Sequence, residues 1–230
     1  MASLRKLDDG LWVVDHRDFS VGGLQLGTRS TLVRRPSGTL ALVSPGPLTE
    51  ASNAEIRALG PVSDIVVPNQ LHNLFCVAAA EAFPEAKVYA VPTVRSKQPR
   101  LRVDEALGDA APSGLADTFE MHVLDGARRV DERLLFHAAT RTLIGVDVAF
   151  NIRNATGLFR FAMWINDAND KLCMTRLGKS QYLDDHRAAA RSVDRACDAF
   201  DFDRLIISHG EVYDQGAREA LREAYAFGRD

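Results

Sequence analysis

Short apolar runs divide this chain more clearly than any long periodic stretch. Leu11 to Val14, Thr31 to Val33 and Thr39 to Val43 read as strands, the last two flanking Pro36-Ser37-Gly38. Proline presets φ and glycine relaxes it, so that pair is expected to be a hairpin. Ser44-Pro45-Gly46-Pro47 cannot continue a sheet, and Thr49 is placed to cap a helix burying Ile56 and Leu59 before Gly60-Pro61 stops it. Asp64 to Val67 is nearly continuous apolar sequence, the pattern of a strand covered on both faces. Leu71, Leu74, Phe75, Ala78 and Ala82 then recur at helical spacing up to Pro84, and Lys87 to Val91 returns as a strand. Strand, helix, strand with short turns predicts a parallel or mixed sheet here.

The middle is less regular. Residues from Val94 to Ala116 are polar, with several Gly and Pro, and are expected to wrap the surface. Phe119 to Leu124, Arg133 to His137 and Thr142 to Val148 read as strands. The aromatic-rich segment from Ala155 to Asp170 is either a helical insertion or a lid. Leu183, Ala190, Val193, Cys197 and Phe200 form a helical stripe. Arg204 to Ser208 is another buried strand, and Asp214 is expected to cap a last helix carrying Ala217, Leu221 and Ala224. Two strand-rich stretches, each followed by strand–helix units, imply two sheets with helices outside.

Composition narrows the picture. At 230 residues with 46% hydrophobic, and with nothing that reads as a linker, one domain spanning 1–230 is expected. A net charge of −3 with scattered Lys and Arg gives no nucleic-acid stripe. No apolar run approaches a membrane span and the N-terminus lacks a signal-type stretch, so a cytoplasmic location without membrane contact is expected. The three cysteines, Cys76, Cys173 and Cys197, are odd in number and far apart, which fits core positions in a reducing compartment.

Ligands in α/β folds gather beyond the carboxyl ends of buried strands. Asn69, His72 and Asn73 follow one such strand, Asp147 ends another, and His209 and Glu211 follow a third. These positions can converge. Against that stand plainer roles: a histidine after a strand often satisfies backbone groups, and Asp147 could cap a helix. His16, His122, His137 and His186 are read as surface or structural residues. Phe159, Phe161 and Trp164 read as a packing face, against the sandwich or a second subunit as in a homodimer. The alternative is a pocket wall, with Arg153 or Arg160 available to an anion.

The order of these features resembles the metallo-β-lactamase superfamily. Leu42-Val43-Ser44-Pro45-Gly46 looks like its early strand and turn, and Leu143-Ile144-Gly145-Val146-Asp147 like its Gly-Asp strand end. Ile206-Ile207-Ser208-His209-Gly210 looks like its final His-Gly strand. The fold so implied is a four-layer αββα sandwich. The His-x-His-x-Asp-His motif would fall on Pro68-Asn69-Gln70-Leu71-His72-Asn73, so most of that cluster is replaced. The Pro-Asn-x-x-His-Asn-Leu-Phe string is similar to a functionally uncharacterised branch in which a second histidine replaces Asn73. The resemblance leaves a second-metal set of His72, Asp147 and His209, which suits one Zn or Fe ion. Glu211 is then a candidate base or outer partner, and Asn73 shares the catalytic expectation. Two functions remain: a single-metal hydrolase for an unknown small molecule, or a degenerate ligand-binding or protein-interaction module without metal.

Overall fold

The computed structural model describes residues 2–20 and 22–229. Its first sheet is a seven-stranded run in chain order: β1 (Ala2–Asp8), β2 (Leu11–His16), β3 (Thr28–Arg34), β4 (Leu40–Val43), β5 (Val62–Val67), β6 (Lys87–Ala90) and β7 (Glu105–Ala106). The strands pair antiparallel as far as β4 and parallel from β4 to β7. The expected mixed sheet is therefore present, and the hairpin through Pro36-Ser37-Gly38 joins β3 to β4. Strand β1 extends the sheet by an edge that the charged sequence Leu4-Arg5-Lys6-Leu7-Asp8 disguises, as edge strands commonly do.

The second sheet combines β8 (Glu120–Val123), β9 (Arg133–His137), β10 (Thr142–Ile144) and β13 (Arg204–Ile206) in the order β13-β10-β9-β8, with β10 and β13 parallel. A two-stranded ribbon, β11 (Phe150–Asn151) with β12 (Leu172–Cys173), stands beside it. Residue alternation sorts this sheet's two faces. Leu135, Ile144 and Ile206 point inward to the core shared with the first sheet. Leu134, Phe136, Leu143, Leu205 and Ile207 point outward, to a second core under helices α6 (His186–Ala199) and α7 (Ala217–Ala224).

Helices α1 (Glu50–Leu59) and α2 (Cys76–Ala82) cover the first sheet through Ile56, Cys76 and Ala79. The layers run helix, sheet, sheet, helix, the sandwich expected above. Thr49 caps α1 as expected, in a reciprocal box with Ser52. Shorter helices α3 (Val94–Lys97), α4 (Gly157–Ile165) and α5 (Arg176–Gln181) lie in the connecting segments. No helix of the described residues is long and apolar enough to cross a membrane.

Three local expectations differ. The helix predicted from Leu71 starts only at Cys76, because the Asn69 side chain turns the preceding residues by accepting from the amides of Leu71 and His72. Helix α7 is preceded by Gly216 at φ 68°, not capped by Asp214, whose carboxylate instead pairs with Arg204 at 2.8 Å. The strand expected over Thr142 to Val148 ends at Ile144, where Gly145 and Val146 turn over the Glu132 carboxylate. All three cysteines are free and buried, and burial pushes the thiols of Cys76 and Cys173 up to about 11 and that of Cys197 up to about 12.

Candidate metal centre

The carboxyl ends of β4, β5, β10 and β13 meet at one edge of the sandwich. Beyond β5, Asn69 holds His72 against this edge, and Ser44, the residue after β4, places its Oγ 2.9 Å from His72 Nδ1. Beyond β10, the fully buried Glu132 accepts from the amides of Val146 at 2.6 Å and Asp147 at 3.1 Å. That cradle turns the Asp147 side chain toward the histidines. Beyond β13, the His209 carbonyl accepts from Asn151 and the Glu211 amide donates back to Asn151. Phe150 stacks on the His209 ring, 5.3 Å between centroids and 9° from parallel. Gly210 makes this crossing possible: it lies at φ 96°, and a Cβ there would collide with the Asn151 carbonyl.

His72, Asp147 and His209 each offer a ligand atom, and those atoms lie within 4.8 Å of one another. His72 Nε2 is 3.5 Å from Asp147 Oδ2, and His209 Nε2 is 3.4 Å from Asp147 Oδ1. Four ligands about 2.0–2.1 Å from a tetrahedral zinc stand roughly 3.3 Å apart, so these two separations already fit an ion. Asn69 Nδ2 donates to Asp147 Oδ2 at 2.7 Å, whereas Oδ1 is buried without a hydrogen-bond partner among the described residues. Such orphaned oxygens are rare, because desolvating an acceptor without a bond costs about 1–3 kcal/mol.

Proton placement sharpens the point. His209 Nδ1 is 2.8 Å from the Gly27 carbonyl, which only accepts, so Nδ1 carries the proton. In the neutral ring Nε2 is then a lone pair facing the lone pairs of Oδ1. A cation or a proton between them removes that repulsion. Burial works to raise the Asp147 pKa, but positive charge on the His72 and His209 rings, with the hydrogen bonds such rings donate, outweighs it and holds the carboxyl well below the ordinary range. Burial, then the neighbouring Asp147 charge, push Glu132 up to about 8. Asp147 is thus the ionised member of the pair near neutral pH. A divalent ion on two imidazoles and one carboxylate would keep about one net positive charge, so the donor set fits the chemistry.

The cluster lies in a cleft of about 230 Å³ whose other walls are mostly apolar: Phe19, Pro45, Leu71, Leu74, Phe75 and Tyr182. Leu71 and Leu74 are there because the local chain turns instead of continuing as a helix, which leaves both exposed at the rim. Tyr182 stacks on Phe150 at 6.2 Å, and burial pushes its hydroxyl above the usual tyrosine value.

No family model matches the chain, and no curated protein matches it. Solved structures do. A metallo-β-lactamase from Pontibacter korlensis superimposes with a TM-score of 0.70 at 12% identity, covering 98% of this chain and 99% of that one. One from Hirschia baltica gives 0.68 at 14% identity, with 97% of each chain covered. The metallo-β-lactamase FIM-1 from Pseudomonas aeruginosa, in its mono-zinc form, gives 0.69 at 12% identity over 97% of this chain and 94% of that one. This chain has the metallo-β-lactamase fold.

Of the residues on which the histidine motif would fall, His72 lines the cleft while Gln70 and Asn73 turn away from it. Gln70 Nε2 donates to the Arg129 carbonyl at 2.5 Å. Asn73 donates to the Gln70 carbonyl and accepts from Gln98 at 2.9 Å, outside the cleft that holds the cluster. Glu211 is exposed and lines a separate, larger cleft. The structure therefore brings His72, Asp147 and His209 together and leaves Asn73 and Glu211 apart from them. His122 bonds Ser192 at 2.9 Å and His137 bonds Thr140 at 2.8 Å, while His16 is buried 3.3 Å from Ser30 Oγ. His186 is exposed, its ring edge-on to Phe227. Ser44, Glu132 and Tyr182 are the site residues that sequence reasoning passed over. Ser44 alone carried a signal, the strand end before Pro45; Glu132 and Tyr182 arrive from segments without a motif.

Proposed function

We propose that this chain is a single-metal hydrolase of small molecules, with His72, Asp147 and His209 holding one Zn or Fe ion. The observation that carries the reading is the buried, unpartnered Asp147 Oδ1 facing His209 Nε2 at 3.4 Å. An ion bound there supplies Lewis acidity toward a carbonyl and acidifies water to a pKa of about 7. The protein's own groups prepare the site. Gly27 and Ser44 fix the two imidazoles, and Asn69 orients the carboxylate, as outer partners of metal ligands do. The apolar walls favour a substrate whose body is uncharged near the reacting bond, and they exclude water around it. Asn73 and Glu211 have no part in this proposal, because both side chains lie outside the cleft.

A second reading keeps the cleft as a ligand-binding module without metal. It is favoured by Asn69, which already occupies Asp147 Oδ2 with a 2.7 Å bond. The two part on one experiment: zinc- or iron-reconstituted protein is assayed against small esters, thioesters, lactones and β-lactams, beside Asp147→Asn. The hydrolase reading expects metal-dependent turnover of at least one class, lost in the variant. Turnover absent from the loaded protein, with an unaltered fold, supports the binding module.

A further inference from the structure

The larger cleft of the molecule, about 390 Å³, lies beside the metal centre and not over it. The two clefts share Thr28, and the hydrogen bond from His209 to the Gly27 carbonyl runs in the wall between them. Its volume falls within the range of small-ligand sites, whereas the metal cleft is smaller than most.

The charges around this cleft are not balanced internally. Arg29 is buried, with Nε on Asp15 at 2.6 Å and Nη1 on the Ile207 carbonyl at 2.7 Å. That pair satisfies Asp15 and is part of the fold. Arg17 and Arg153, both exposed, also line the cleft, and neither has a carboxylate within 4.0 Å among the described residues. Arg153 is steadied by the Asn151 side chain at 2.7 Å and by the Asp170 carbonyl, which spends two donors and leaves others facing the cleft. Glu211, exposed and close enough for its charge to act on the buried Arg29, lines the same cleft and has no cationic side chain within 4.0 Å among the described residues. His16 is held neutral on the cleft wall, since burial lowers its pKa to about 4. Leu26, Ile152 and Phe159 form an apolar patch in a wall that also carries the polar Gln25, Thr28, Asn154 and Ser208.

Two guanidinium groups and one carboxylate without ion-pair partners, beside an apolar patch, describe the complement of a zwitterion with an apolar body. We infer that this cleft is a second binding site, for an α-amino acid bearing an apolar side chain. Its carboxylate is taken by Arg17 and Arg153, a geometry to which guanidinium groups are suited. Its ammonium pairs with Glu211, and its side chain lies on Leu26, Ile152 and Phe159. The inference does not depend on the metal centre, because none of these side chains belongs to it.

The test is titration calorimetry on the full chain with L-leucine and L-phenylalanine. Two truncated analogues of leucine serve as probes: 4-methylpentanoate, without the ammonium, and 3-methylbutylamine, without the carboxylate. One saturable site per chain is expected for at least one amino acid, with both truncated analogues about tenfold weaker or worse. Arg17→Ala and Glu211→Gln are exposed changes that leave the far-ultraviolet dichroism unaltered and weaken the amino acid by about tenfold each. Asp147→Asn leaves its affinity unchanged. No saturable binding of either amino acid up to about 10 mM overturns the inference. So does 4-methylpentanoate binding as tightly as leucine, which marks a simple anion site. Binding lost in Asp147→Asn but kept in Arg17→Ala and Glu211→Gln places the ligand in the metal cleft and overturns it as well.

Discussion

Asn69 shows how much one side chain can decide. Its carbonyl oxygen accepts from the amides of Leu71 and His72, and its amide nitrogen donates to Asp147. The first pair of bonds stops a helix that apolar spacing predicts, and the last orients the carboxylate. Asn69→Ala removes both. The expected loss is about 1–2 kcal/mol of stability, as for other capping side chains, together with a 10–100-fold weaker metal affinity. Chemical denaturation and metal titration of the same variant measure the two effects. A variant destabilised but binding metal as tightly as the parent shows that Asn69 shapes the turn alone. His72, Asp147 and His209 were legible as strand-end residues. Glu132 was not, because nothing near it in the sequence announces that a turn thirteen residues later will fold over its carboxyl group.

At the scale of elements, the site depends on where strands stop. Strand β10 ends at Ile144 and β13 at Ile206, and each strand is followed by a short non-repetitive stretch that carries one ligand candidate. These strands were readable as continuous apolar runs bounded by polar groups, because both of their faces are buried. Edge strand β1 was not readable, because its charged residues hide two apolar positions, Leu4 and Leu7, that pack on the core. The turn after β13 relies on Gly210, where the chain crosses Asn151 at positive φ. Gly210→Ala therefore combines a backbone penalty with a collision. Its expected cost is about 1–3 kcal/mol or more, with His209 displaced. A lower melting temperature with reduced metal stoichiometry is the expected result. A variant that melts and loads as the parent does would show that the crossing has room to relax.

For the whole molecule, two sheets share one core while the charged groups that join them are few. Arg29 reaches from β3 to the Ile207 carbonyl, and Arg204 on β13 pairs with Asp8 on β1 at 3.1 Å. Histidine burial gives the molecule a pH dependence. Burial lowers the pKa of His16 to about 4 and also lowers those of His122 and His137. A base whose folded pKa lies below its unfolded value is proton-hungry only when unfolded. Its contribution is complete above about pH 6.5 and is lost as pH falls from there toward 4. Thermal melting from pH 7.5 to 4.5 should show stability falling through this window, with a shallower fall in His16→Gln. Equal slopes in the two proteins would show that His16 does not contribute.

If His72, Asp147 and His209 close around one ion, as proposed, the purified protein carries it, and metal content reads this out. Protein purified without a histidine tag, stripped and reloaded with zinc or iron, is exchanged into metal-free buffer and measured by elemental analysis. About one metal per chain is expected in the parent, with a large loss in both His209→Ala and Asp147→Ala, each still folded. A parent that retains no metal, or variants that retain as much as the parent, would contradict the proposal.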